Sequence, residues 1–191
     1  MSNPENTIVD EWATVKAPPP PDLKPVPVDP KVTALLILDI QNQNCSPERR
    51  PRCVASVPRI RSLLTKARNR GMLVIYSLTR NASEADIREE LSPQTGEPIV
   101  KSGVDKFYGT ELQGILEAKG IRTVILAGTS AHGAVLHTAT GAALRGLKVI
   151  VPVDGMSAGN PYAEQYTSWH LENSPGTRRQ ATLTRINLIT F

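Results

Sequence analysis

Asp39 closes the run Thr33-Ala34-Leu35-Leu36-Ile37-Leu38, and a carboxylate set directly behind such a run is poorly solvated. Poor solvation disfavours the charged form, raises the pKa and suits the group to proton transfer. The plainer role for the same residue is to cap the loop that follows. A second chemical segment is Gly128-Thr129-Ser130-Ala131-His132-Gly133-Ala134, a string of small residues that leads from a strand straight into a helix. A sharp turn of this kind leaves backbone N–H groups pointing outward at a helix N-terminus, where they favour an anion or a developing oxyanion. The alternative is a tight turn set by packing. The segment lacks the glycine spacing of a dinucleotide fingerprint and the Gly-Lys-Ser/Thr of a phosphate loop, so no nucleotide cofactor is implied. His132 is placed to bond a substrate or a water, or simply to serve the helix start. His137, one turn on, reads as structural.

The elements that position these residues alternate regularly. Thr33 to Leu38 reads as a strand buried on both faces. Val54 to Arg70 has helical spacing at Val57, Ile60, Leu63, Leu64 and Ala67 and ends at Gly71. Met72 to Leu78 is a second buried strand, Asn81 to Gly96 a polar loop, Ile99-Val100 a short strand, and Thr110 to Lys119 a helix stopped by Gly120. Thr123 to Ala127 is the next strand, followed by the Gly128 to Ala134 turn and a small-residue helix from about His132 to Arg145. Lys148 to Val153 is a strand, Tyr162 to Glu172 a helix, and Ala181 to Phe191 a final strand. Such alternation predicts right-handed βαβ units, hence a three-layer αβα fold with a central parallel sheet. Ligands then bind beyond the carboxyl ends of the strands, where the winding reverses, and Asp39 and the Gly128 turn both lie at such ends. In the helix after Asp154, Tyr162, Tyr166 and Trp169 share one face, which places them in the core, at a subunit interface or against a ligand.

Composition bounds the function classes. The chain has 191 residues, enough for one domain that buries its own core, with 40% hydrophobic residues and a net charge of +4. The basic residues are dispersed, which favours solubility over nucleic-acid binding. No apolar run approaches a membrane span, and the N-terminus lacks the apolar core of a signal peptide, so a cytoplasmic protein is expected. Half of the 16 prolines fall before residue 31, seven of them in Ala17-Pro18-Pro19-Pro20-Pro21 and Pro25 to Pro30, and proline excludes helix and central strand there. Residues 1–31 therefore read as an extended arm, packed on the domain or laid across a neighbouring subunit, and residues 32–191 as the domain.

Three segments in order, Leu38-Asp39-Ile40-Gln41-Asn42, Lys101 shortly ahead of Phe107-Tyr108-Gly109-Thr110-Glu111-Leu112, and the Gly128 to Thr138 turn and helix, resemble the isochorismatase-like hydrolases, also called cysteine hydrolases. The resemblance spans Thr33 to Ser157. It implies a parallel sheet flanked by helices, homo-oligomers (dimer or tetramer), a small-molecule substrate and no cofactor. It also implies a catalytic Asp, Lys and Cys. Asp39 matches the Asp and Lys101 the Lys, with Lys106 as the substitute if the loop is shifted. Thr129, Ser130, Ala131, His132 and Gly133 match the oxyanion turn, and a cis peptide would map to Thr129-Ser130. Family nicotinamidases hold a metal near the Asp strand through clustered Asp and His, but no His precedes His132, so no metal site is implied.

At the position of the family's nucleophilic cysteine stands Ala134. A methyl group cannot attack an amide carbonyl as a thiolate does. Three readings follow: a hydrolase of vinyl ethers such as isochorismate, in which the Asp acts as acid and water attacks; a Cys-to-Ala variant of a cysteine amidohydrolase; or a catalytically silent member that binds ligand or serves assembly. The small residues around Ala134 favour a natural alanine. Cys45 and Cys53 are expected to be ordinary reduced thiols. A role for Cys45 as substitute nucleophile would require it to align with the Ala134 turn.

Overall fold

The computed structural model describes residues 4–191. Its central sheet is built from the apolar runs: β2 (Thr33–Leu38), β3 (Leu73–Leu78), β4 (Ile99–Lys101), β5 (Thr123–Thr129), β6 (Lys148–Pro152) and β8 (Ala181–Thr184), all parallel, in the order β4-β3-β2-β5-β6-β8. A two-residue strand, β7 (Met156–Ser157), pairs with the end of β5. Every residue of β2 is buried, and the pleat explains how one run serves two cores. Ala34, Leu36 and Leu38 join a cluster with residues of α2 (Leu112–Ala118), α3 (Leu136–Leu144) and α4 (Pro161–Asn173). Leu35 and Ile37 join the opposite cluster, packed on α1 (Pro51–Asn69). The result is a three-layer αβα fold with a parallel sheet in the middle.

Helix α1 starts three residues before the first apolar position, because Pro51 fits its first turn, where no amide partner is required. That early start carries Cys53 back over the preceding loop, where it forms a disulfide with Cys45, and both residues are fully buried. The expectation of reduced thiols is thus corrected. The separation of eight residues allows the pairing because Arg50 N donates to Ser46 O and Cys53 N to Arg50 O, folding the loop into successive turns.

The proline-rich stretch from residue 15 to residue 25 forms neither helix nor strand. Beyond it the chain is tied to the domain. Lys24 N donates to Leu183 O, β1 (Val26–Pro27) pairs in parallel with β9 (Ile189–Thr190), and Val28 N donates to Thr190 O. The last segment is therefore divided into β8, a 3-10 turn over Ile186–Leu188, and β9, where the sequence suggested one strand. Among the described residues no helix is long and apolar enough to cross a membrane.

Candidate functional site

The winding reverses between β2 and β5: β3 and β4 extend the sheet on one side, β6 and β8 on the other. At the carboxyl ends of these two strands the backbones come unusually close. A Cβ on Gly128 would lie 2.1 Å from the carbonyl oxygen of Leu38, and Gly128 has φ of 152°, so only glycine fits. Immediately beyond Leu38, Asp39 takes the left-handed conformation with φ of 52°, which Asp tolerates better than most side chains.

That conformation brings Asp39 against β3. Its amide donates to Ser77 O and Oγ (3.3 and 3.2 Å), and Ser77 Oγ donates to Asp39 Oδ1 (2.8 Å). The other carboxylate oxygen accepts from Lys106 Nζ at 2.8 Å. Lys106 has no solvent exposure and Asp39 is 5% exposed. Burial pushes the Asp39 carboxyl above its ordinary value of 3.8, while Lys106 and Ser77 pull the other way. The ammonium also donates to Gly103 O (2.7 Å), so the charge is well surrounded. Gln41, buried beside the pair, accepts from Thr79 Oγ1 (3.0 Å) and fixes the loop after Asp39.

Lys106, not Lys101, is the partner of Asp39. Lys101 is the last residue of β4 and its side chain is exposed. The segment 102–110 then winds tightly: Ser102 Oγ donates to Tyr108 O (2.8 Å), Phe107 N to Asp105 Oδ1 (3.0 Å) and Lys106 N to Thr138 Oγ1 (3.2 Å). These bonds roll Phe107 and Lys106 inward together. Ser77 escapes the sequence reading because it sits inside an apolar strand. The one available signal is a lone serine among Leu73-Val74-Ile75-Tyr76 and Leu78.

On the β5 side, the peptide between Thr129 and Ser130 is cis, as the family resemblance implied. Thr129 Oγ1 donates to Ser157 O (3.1 Å), which ties the turn to β7. Residues Ala131–Val135 form a single π turn that leads into α3, a device often found at functional sites. Ala134 is 3% exposed inside that turn. The amides of Gly133 and Val135 donate to Ser130 O (3.0 and 3.2 Å). His132 is not gathered with Asp39. It is exposed and lines a surface groove with Asp105, His137 and His170. Neither cysteine is free, so Cys45 has no thiol to offer the turn. Among the described residues no group of three His, Cys, Asp or Glu is arranged to hold a metal ion.

A doubly wound parallel sheet thus sets a buried Asp–Lys pair and a π turn side by side at its switch point, the place where such folds bind ligands. The isochorismatase domain matches residues 33–183, and the chain belongs to the isochorismatase family. It is 33% identical over 136 residues to the secreted isochorismatase effector Isc1 of Verticillium dahliae, covering 65% of this chain and 72% of the relative. It is 29% identical over 146 residues to maleamate amidohydrolase of Pseudomonas putida, covering 62% and 68%. Among solved structures, N-carbamoylsarcosine amidase from Thermoplasma acidophilum aligns with a TM-score of 0.70 at 25% identity, over 81% of this chain and 96% of that one. An isochorismatase family protein from Desulfovibrio vulgaris shares the fold with a TM-score of 0.71 at 24% identity, over 82% and 95%.

Proposed function

We propose that this protein hydrolyses a small vinyl ether by acid catalysis centred on Asp39, with Lys106 as the residue that holds the carboxyl. The observation that carries this reading is the buried Asp39–Lys106 pair combined with alanine at position 134. Burial lets this carboxyl hold a proton more readily than a surface aspartate, against the opposite pull of Lys106 at 2.8 Å. Nothing at position 134 can form an acyl-enzyme, so the attacking group is water.

The steps balance without a thiol. The Asp39 carboxyl gives its proton to the vinyl carbon, and positive charge develops on the carbon bonded to the ether oxygen. Water adds to that carbon, and the resulting hemiketal collapses to a ketone and an alcohol, returning a proton to Asp39. Lys106 steadies the carboxylate left after the first transfer. Two amides of the turn, those of Gly133 and Val135, already serve Ser130 O, and the other amides of Ser130–Ala134 are the candidate donors to a substrate oxygen or carboxylate.

Family relatives such as maleamate amidohydrolase cleave amides by name, and the comparison defines the test. Wild type, Asp39→Asn and Ala134→Cys are assayed against isochorismate and against an amide panel containing maleamate and N-carbamoylsarcosine. The expected result is vinyl-ether turnover by the wild type, lost at least about a hundredfold in Asp39→Asn, with amide hydrolysis only in Ala134→Cys. Amide hydrolysis by the wild type, or full activity of Asp39→Asn, overturns the proposal. Amide activity in Ala134→Cys together with an inert wild type favours the second reading, a site that has lost its nucleophile and keeps its pocket for binding or assembly.

A further inference from the structure

Two surfaces of this chain hold apolar side chains in water. The first lies on the N-terminal segment. Thr7 N and Oγ1 both donate to Asp10 Oδ2 (2.8 and 2.7 Å), and the amides of Asp10, Glu11, Trp12 and Thr14 each donate to a carbonyl three or four residues back. In these turns Ile8, Trp12 and Val15 follow a spacing of four and three residues and are 59%, 64% and 58% exposed. That spacing puts them on one face.

The second surface is a groove of about 670 Å³ between α3, α4 and the 102–110 segment. Its walls carry Tyr162, Tyr166 and Leu144, which are 63%, 41% and 71% exposed. Ala163, Thr167 and Leu171 face inward from α4, so its aromatic stripe is no part of the core.

Charge complements shape. The segment carries Glu5, Asp10 and Glu11 and no Lys or Arg before Lys16. All three histidines of the chain and Arg145 line the groove, opposed by Asp105 alone. The tether between them is short and stiff. Lys16 to Asp22 separate Val15 from Leu23, which packs against the core on the α2–α4 side. At ~3.1 Å per residue in polyproline II these seven residues span roughly 20 Å, and four consecutive prolines resist folding back. In one copy the three apolar side chains stand exposed although the groove belongs to the same molecule.

We propose that residues 7–15 of one copy dock in the α3–α4 groove of a second copy, with Trp12 as the anchor, in a reciprocal two-fold exchange. The acidic side chains of the segment then meet the imidazoles and Arg145, while its apolar face covers Tyr162, Tyr166 and Leu144.

The test is the mass of the full chain by analytical ultracentrifugation, beside Trp12→Ser and Tyr166→Ser, with thermal melts to confirm that both variants fold. A dimer is expected, and each substitution weakens association at least about thirtyfold. A mixture of 14N- and 15N-labelled copies of the double variant Trp12→Cys/Tyr166→Cys is then oxidised and digested, and disulfide-linked peptides of mixed isotope are expected. A monomeric full chain, a dimer untouched by Trp12→Ser, or cross-links confined to single chains overturns the proposal, the last outcome placing the segment in its own groove.

Discussion

The Asp39–Lys106 pair and the outer face of α4 break the ordinary distribution of residues in opposite directions. At the first, two ionisable groups lie inside the protein, and each has partners: Ser77 Oγ and the ammonium for the carboxylate, the carboxylate and Gly103 O for the ammonium. At the second, Tyr162, Tyr166 and Trp169 lie outside, 63%, 41% and 43% exposed, and among the described residues their one ring contact is Tyr166 with His170. Buried charge is tolerated where geometry satisfies it, and exposed aromatic surface is unusual unless something covers it. The first departure marks where chemistry is held, the second where another surface is expected. Substitutions should therefore separate the two regions sharply.

Lys106→Met gives the largest effect. It leaves Asp39 buried without its cation, and removal of one partner of a buried pair costs about 3–5 kcal/mol. Urea denaturation at pH 7 measures it. A loss below about 1 kcal/mol would mean that the pair behaves like a surface ion pair, and the contrast with α4 would collapse. Gly128→Ala comes next, at about 3 kcal/mol, because its methyl would overlap the Leu38 carbonyl. The same denaturation reports it, and a neutral outcome would show that β2 and β5 can separate at the site.

Which parts of this arrangement were legible in the sequence follows from what fixes each part. The strands β2, β3, β5 and β6 were legible as continuous apolar runs because both faces of the sheet are covered. Asp39 and the Gly128 turn were legible because strand ends are marked by the abrupt change of polarity. Lys106 was displaced to Lys101 because the 102–110 segment has no period. Its winding is set by the Ser102, Asp105 and Thr138 hydrogen bonds, which join residues up to 32 positions apart, and no spacing rule anticipates them. Strand β7, two residues long, carries too little pattern to be seen, and Ser77 is hidden in a strand whose other side chains are aliphatic or aromatic. The disulfide was missed because the expectation rested on compartment and not on geometry.

Breaking that disulfide is the third perturbation. Chain-entropy arguments for so short a loop give a loss of about 2–3 kcal/mol in a Cys45→Ser/Cys53→Ser variant. Melting with and without reductant checks it. An unchanged melting temperature would show that the loop beyond Asp39 is held by Gln41 and Asn44 alone.

The pH dependence sharpens the same comparison. Burial raises the Asp39 pKa above 3.8, so the folded protein keeps this proton at a higher pH than the unfolded chain does. The contribution to stability is complete below 3.8 and is lost as pH rises through the folded value. The unfolding free energy of the wild type minus that of Asp39→Asn is therefore expected to fall as pH increases from about 4 and then to level off. A difference that grew with pH would mean that Lys106 and Ser77 outweigh burial.

The smallest effect belongs to the aromatic face. Tyr166→Ser removes a ring that is 41% exposed and whose hydroxyl lies 3.4 Å from His170 Nδ1. Surface changes away from caps and packed contacts stay within about 0.5 kcal/mol. At protein concentrations well below any association midpoint, the stability of this variant should match the wild type within that margin, while at high concentration the wild type gains stability from mass action and the variant does not. Melts across a concentration series separate the two contributions. A loss that is the same at every concentration would make Tyr166 part of the fold, and α4 would then present no free surface at all.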